Sequence, residues 1–262
     1  MLFCPLFSGS SGNSSYIEAG DTHILIDAGL TGKAITEALG QLKADPCYIN
    51  AILITHEHTD HINAAGVLSR RYDIPIYANA GTWQAMLPLL GNISRKNIRV
   101  FETERDFYIN DVNITPFKTP HDSKESVGYS LQYHGIKLSF MTDIGHINEY
   151  LLCAVENSDL LLIEANHDVE LLKAGPYPYH LKRRILSDTG HLSNENAGKA
   201  LAKLYNRGVC SALLGHLSHE NNFEQLAMET VRSVLRENDI PDQCFNLAMT
   251  HRNRIGGIYE IE

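Results

Sequence analysis

The densest chemistry in this chain lies in one heptapeptide, Thr55-His56-Glu57-His58-Thr59-Asp60-His61, directly after the apolar run Ala51-Ile52-Leu53-Ile54. Three imidazoles and one carboxylate at 56, 58, 60 and 61 are the donors that suit zinc, and also manganese or iron(II). A tight loop at a strand end turns alternate side chains to one point, so His56 and His58 can share one cation. Asp60 and His61, half a turn later, face a second. A hydrolytic site gives each cation about three protein ligands plus solvent, so further donors must come from later in the chain. The candidates stand at the tails of strand-like runs: His121 after 114–120, Asp143 after 138–142 and His216 after 209–215. Singly, each such residue is more often a turn or cap than a ligand. They carry weight only as a set.

The elements that must position these side chains follow from apolar periodicity. Strands are expected at 23–27, 51–55, 74–78, 97–101 and 111–117, then at 128–133 and 136–141 around the His134-Gly135 turn. Others follow at 160–164, 209–214, 244–249 and 258–261. Helical spacing marks 33–39, 64–72, 82–87, 148–155, 196–205 and 223–236. Strands and helices mixed along the whole length suit two sheets with helices outside, an α/β four-layer αββα sandwich. Nothing reads as a linker or low-complexity tract, so residues 1–262 are expected to form a single domain.

Composition narrows the function classes. The chain has 262 residues, 44% of them apolar, enough for a sizeable core. Lys33 is the first lysine and no apolar run approaches the ~20 residues of a bilayer span, so the reading is a cytoplasmic protein with no membrane partner. Five widely spaced cysteines point to reduced thiols rather than a disulfide framework. A net charge of -9 argues against a generally basic nucleic-acid binder. Two divalent cations would nonetheless add about four positive charges where a phosphate must sit. No obligate protein partner is readable.

Asp27 in Leu25-Ile26-Asp27-Ala28-Gly29, the His-x-His-x-Asp-His loop, His121, Asp143 in Met141-Thr142-Asp143 and the late His216 resemble, in order, the motifs of the metallo-β-lactamase superfamily. The opening Ser8-Gly9-Ser10-Ser11-Gly12-Asn13-Ser14 and the segment Glu164-Ala165-Asn166-His167-Asp168 are similar to those of its YycJ (WalJ, VicX) group, regarded as nucleases or exonuclease-like proteins. The resemblance implies that His56, His58 and His121 bind one metal, that Asp60, His61 and His216 bind the second, and that Asp143 bridges both. Asp27 braces the ligand loop through hydrogen bonds. Two metals, zinc first with manganese or iron as alternatives, would hold a hydroxide able to attack a phosphodiester, with Asp60 and His191 assigned to catalysis. His191 is the expected proton donor, although the assignment of His191 and His216 could be exchanged.

One local repetition supports that pairing: Gly190-His191-Leu192-Ser193-Asn194-Glu195-Asn196 and Gly215-His216-Leu217-Ser218-His219-Glu220-Asn221 differ at one position in seven. Two helix-capping turns would explain the likeness without chemistry. Substrate contacts are assigned to Ser10 and Asn13, whose Gly/Ser segment can form an anion-binding nest, and to His167, Lys182 and Arg183. For His167 a surface turn is an equal reading, and for the 182–184 cluster a solvated helix face is the plainer one. The leading expectation is a nuclease or phosphodiesterase acting on DNA or RNA. The alternative is a hydrolase of a small cyclic phosphodiester, thioester or lactone.

Overall fold

The computed structural model describes residues 1–262. Its strands are β1 (Leu2–Phe7), β2 (Ser14–Ala19), β3 (Thr22–Ile26), β4 (Ala51–Leu53), β5 (Ile76–Asn79), β6 (Ile98–Phe101), β7 (Phe107–Ile109), β8 (Val112–Lys118), β9 (Val127–Tyr133), β10 (Ile136–Met141), β11 (Leu160–Glu164), β12 (Ser211–Gly215), β13 (Asn246–Met249) and β14 (Tyr259–Glu260). The helices are α1 (Gly32–Gln41), α2 (Thr59–Ile62), α3 (Ala65–Tyr72), α4 (Ala80–Leu90), α5 (Glu149–Val155), α6 (Val169–Ala174), α7 (Tyr179–Ile185), α8 (Asn194–Tyr205) and α9 (Glu224–Glu237). Two seven-stranded sheets result, ordered β14-β1-β2-β3-β4-β5-β6 and β13-β12-β11-β10-β9-β8-β7. The chain divides into two compact units: Met1–Lys118, Ser123–Gly135 and His251–Glu262 form the first, Thr119–Asp122 and Ile136–Thr250 the second.

In the first unit, β1, β2 and β3 run antiparallel and β3 to β6 run parallel. Thr31 caps α1 by accepting a hydrogen bond from the Ala34 N–H, and α1 buries Ile35, Ala38 and Leu39. These join Leu25, Ile52, Ile54, Leu68, Ile76 and Met86 in one apolar cluster. Each Leu or Ile so buried stabilises the fold by about 1.5–3 kcal/mol. The buried Tyr129 of β9 donates its hydroxyl to the Ile54 carbonyl at 2.5 Å, satisfying the backbone where β4 gives way to the histidine loop.

In the second unit, β10 to β13 are all parallel. Every residue of β11 is buried, as expected for a strand covered on both faces. Ser193 caps α8, which buries Ala197, Ala200, Leu201 and Leu204, while α9 buries Ala227, Val231, Val234 and Leu235. Both sets repeat at helical spacing. A Cβ on Gly198 would lie 2.7 Å from the Val234 Cβ, so the two helices need a glycine to pack this closely.

All the strands and helices expected from sequence are present, with shifted ends. The structure adds β1, β2, β7, α2, α6 and α7. The last two are six- and seven-residue helices around Gly175, Pro176 and Pro178, too short for a periodic signal to build. Helix α4 also runs past the expected 82–87 and through Pro88, which lacks the N–H that would bond the Gln84 carbonyl and falls in the last turn of the helix.

Gly29 fixes the approach of the ligand loop. Its N–H donates to the Asn13 carbonyl at 2.8 Å, and Asn13 N–H donates to the Asp60 carbonyl at 2.8 Å. A Cβ at position 29 would sit 1.6 Å from that Asp60 oxygen. Gly29→Ala should therefore displace the 58–61 turn and destabilise the protein by about 1–3 kcal/mol, read as a lowered urea midpoint. An unchanged midpoint would show that the contact relaxes freely.

Candidate metal centre

In each unit the donors gather beyond the carboxyl ends of parallel strands, the usual place for a site in an α/β sheet. Asp27 follows β3, the histidine loop follows β4, Asp143 follows β10, Glu164 ends β11 and His216 follows β12. Asp27, Asp143 and His216 hold left-handed backbone, with φ of 60°, 55° and 56°. Such conformations are uncommon outside glycine and persist where surrounding structure fixes them.

In the first unit, Asp27 organises the loop. Its Oδ1 accepts from the Thr55 N–H at 2.9 Å, and its Oδ2 accepts from the Thr55 hydroxyl at 2.9 Å and from His61 Nδ1 at 2.7 Å. With its one proton committed to Asp27, Thr55 Oγ1 can only accept from His56 Nδ1, 3.0 Å away. Both imidazoles are thus held as Nδ1–H tautomers with Nε2 unprotonated, the form that ligates a cation. His56 Nε2 and His58 Nδ1 face each other at 3.0 Å, close to the spacing of two ligands on one ion. Asp60 Oδ2 lies 3.5 Å from His61 Nε2.

In the second unit, one carboxylate does the corresponding work. Glu164 is fully buried. Its Oε1 accepts from Nδ1 of His191 and Nδ1 of His216, each at 2.8 Å. Its Oε2 accepts from the N–H groups of Ile144 (3.0 Å) and Leu192 (3.2 Å). Burial alone would push this carboxyl up, but the two imidazoles outweigh it and hold Glu164 well below the usual carboxylate range. The same carboxylate, with Asp143, outweighs the burial of His191 and raises its imidazole above the ordinary histidine range. His216 Nε2 lies 3.5 Å from Asp143 Oδ1. Asp143, Glu164, His191 and His216 bring donor atoms within 4.8 Å of one another. His121 is tied by Nδ1 to the Gly190 carbonyl at 3.2 Å, leaving Nε2 on the Asp143 side at 3.7 Å. Burial is the main reason its imidazole titrates below the usual range.

A family profile described as "Beta-lactamase superfamily domain" matches residues 22–216. The exodeoxyribonuclease WalJ of Streptococcus pneumoniae is 43% identical over 90% of this chain and 88% of its own length. The exodeoxyribonuclease YycJ of Bacillus anthracis is 39% identical over 90% of this chain and 89% of its own. The chain belongs to the metallo-β-lactamase superfamily. Within that superfamily it groups with the WalJ/YycJ proteins. The metallo-β-lactamase fold protein YhfI from Bacillus subtilis superposes with a TM-score of 0.74 at 17% identity, covering 97% of this chain and 98% of that one. The metallo-β-lactamase fold of this chain is a shared fold, and its imidazole and carboxylate clusters make it a metal-dependent hydrolase. The chemistry of the donors fits zinc, manganese or iron(II): imidazole nitrogens, carboxylate oxygens and no thiolate.

Other expected positions resolve differently. Asn13 is buried, and its amide nitrogen lies 3.1 Å from His61 Nε2 and 3.4 Å from Asp60 Oδ2. Ser10 is exposed on a turn closed by Gly12 N–H and the Gly9 carbonyl. His167 is no surface turn: it is 1% exposed, neither ring nitrogen has a hydrogen bond, and burial pushes it down to about 4. It lines a cavity of about 670 Å³ between α6, α8 and α9. The two Gly-His-Leu-Ser turns flank the 164–168 segment, where Asn166 N–H donates to the Leu192 carbonyl and Ser218 N–H to the Asn166 carbonyl. Ser193 does cap α8, but α9 starts only at Glu224, so capping explains the first copy alone.

Sequence reading missed the part Glu164 plays, although one signal was present: a carboxylate closing the wholly apolar run Leu160-Leu161-Leu162-Ile163. Buried glutamates are rare unless paired. Glu164→Gln cannot accept from both imidazoles while keeping its backbone partners. Zinc affinity by calorimetry, or turnover of bis(p-nitrophenyl) phosphate, should fall about 10–100-fold. Wild-type affinity in that variant would show that the histidines hold their orientation without it.

Proposed function

We propose that this protein is a metal-dependent phosphodiesterase that degrades DNA from an end. The observation that carries the reading is Glu164 gripping His191 and His216 by the same ring position, which leaves both imidazoles fixed for work on a substrate. The exodeoxyribonuclease relatives supply the substrate class. In this proposal His56, His58 and His121 serve one cation, Asp60, His61 and His216 a second, and Asp143 both. Zinc is the ion proposed, manganese and iron(II) being the others these donors accept. The family match runs through segments of both compact units, which supports treating 1–262 as one functional domain. No helix is long and apolar enough to cross a membrane, and the cytoplasm is the compartment proposed.

Divalent cations bound to these donors supply Lewis-acid activation of the phosphodiester and a water of lowered pKa. The chain's own contribution is orientation and proton transfer. Asp27 and Thr55 hold His56 and His61 in the ligating tautomer, and the Gly190 carbonyl does so for His121. His191 has a side chain 18% exposed, and Glu164 favours its protonated form against the pull of burial, which suits it to give a proton to the departing sugar oxygen as the P–O bond breaks. Glu164, ionised throughout, stabilises that imidazolium. His216, with Nε2 near Asp143, is the better ligand of the two. Asn13, Ser10, His167 and Arg183 are proposed on the substrate side, whereas Lys182, expected there from sequence, spends its ammonium on the Lys173 and Gly175 carbonyls.

Purified protein loaded with zinc or manganese should shorten end-labelled single- and double-stranded DNA stepwise. His191→Ala should lower kcat about 10²–10⁴-fold with zinc affinity within a few-fold of wild type. Intact DNA alongside rapid hydrolysis of a thioester or lactone would overturn the reading in favour of a small-molecule hydrolase.

A further inference from the structure

Resting on the nuclease reading, this inference concerns how the strand is gripped. Residues 176–184, Pro-Tyr-Pro-Tyr-His-Leu-Lys-Arg-Arg, interleave aromatic and basic side chains and lead through α7. The three adjacent cations have separate fates. Lys182 Nζ donates to the carbonyls of Lys173 (2.6 Å) and Gly175 (2.7 Å), closing the loop ahead of the helix. Arg184 is ion-paired with Asp122, its Nη2 3.0 Å from Oδ1. Arg183 has no ion pair; its guanidinium carbon lies 6.0 Å from the ring centre of Tyr179. Tyr179 is itself 76% exposed.

This face is bolted to the donors. Asp122, the anchor of Arg184, adjoins His121, and its N–H donates to the Thr189 carbonyl at 3.1 Å. His191 N–H donates to the Ile185 carbonyl at 3.0 Å, and His121 Nδ1 donates to the Gly190 carbonyl. A Cβ on Gly190 would lie 2.2 Å from the Ile185 carbonyl oxygen, so the turn from α7 to His191 is as tight as backbone allows. The helix that carries Tyr179 and Arg183 is therefore held in register with His121 and His191. On a chain of net charge -9, 182–184 is the one run of three consecutive basic residues, and Arg183 is its member not committed to an internal hydrogen bond or ion pair.

We propose that Tyr179 and Arg183 form the platform that receives the single-stranded end of a DNA substrate, Tyr179 stacking on an unpaired base and Arg183 meeting the adjoining phosphate. Stacking on an aromatic ring needs an unpaired base, and an arginine beside it neutralises the phosphate that follows. Both side chains lie outside the core, so their replacement leaves the fold and the donors intact.

The test uses metal-loaded protein, a fluorescein-labelled phosphorothioate (dT)12 for binding by anisotropy, and the unmodified strand for kinetics. Tyr179→Ala and Arg183→Ala should each weaken binding about tenfold. KM should rise in step with kcat nearly unchanged, Tyr179→Phe should restore binding, and Arg183→Ala should reduce the salt slope by about 0.7. Binding by Tyr179→Ala within twofold of wild type, a loss confined to kcat, or an equal loss on blunt duplex DNA would each overturn the platform. If wild-type protein degrades DNA while these variants match it, the platform alone falls. If wild-type protein leaves DNA intact, the nuclease reading falls with it.

Discussion

The structure depends on carboxylates sunk at strand ends and hydrogen-bonded to histidines. Asp27 holds His61 directly and His56 through Thr55; Glu164 holds His191 and His216. A carboxylate taken out of water costs several kcal/mol unless its lone pairs are filled, and Glu164 fills four acceptor positions with two imidazoles and two backbone N–H groups. The arrangement fixes the tautomer at the same time. A proton kept on Nδ1 leaves Nε2 as a lone pair pointed where a cation belongs.

The surrounding fold can be understood as what this arrangement requires. Parallel strands end together, so residues distant in sequence, from β10, β11 and β12, meet at one edge of the second unit. Left-handed backbone at Asp27, Asp143 and His216 turns the chain sharply as it leaves the sheet. Within the first unit Gly29 lets its loop close on Asp60, and within the second Gly190 lets its turn close on Ile185. The strain is tolerated because apolar strands such as β11, buried along their whole length, anchor both sides.

What could be read without coordinates divides along physical lines. The 56–61 loop was legible because its donors are local and their spacing alone suggests shared cations. The later donors were legible only through order and family likeness, since a single Asp or His after a strand is ordinary turn chemistry. Glu164 was hidden for the opposite reason: its partners lie 27 and 52 residues away, and a glutamate ending a strand looks like solvent-facing punctuation. His167 misled in the same way, its Asn-His-Asp context suggesting a surface turn where the ring is buried. The cluster at 182–184 read as three equivalent charges, and only tertiary contacts separate Lys182 and Arg184, which are consumed internally, from Arg183.

Anomalous diffraction at the zinc absorption edge, from crystals of the protein equilibrated with zinc, tests the central claim most directly. The account predicts two peaks per chain, each ligated through imidazole nitrogens left unprotonated by the carboxylate network and both touching Asp143. Zinc found only at surface carboxylates, or bound through the Nδ1 atoms that now face Asp27 and Glu164, would contradict it.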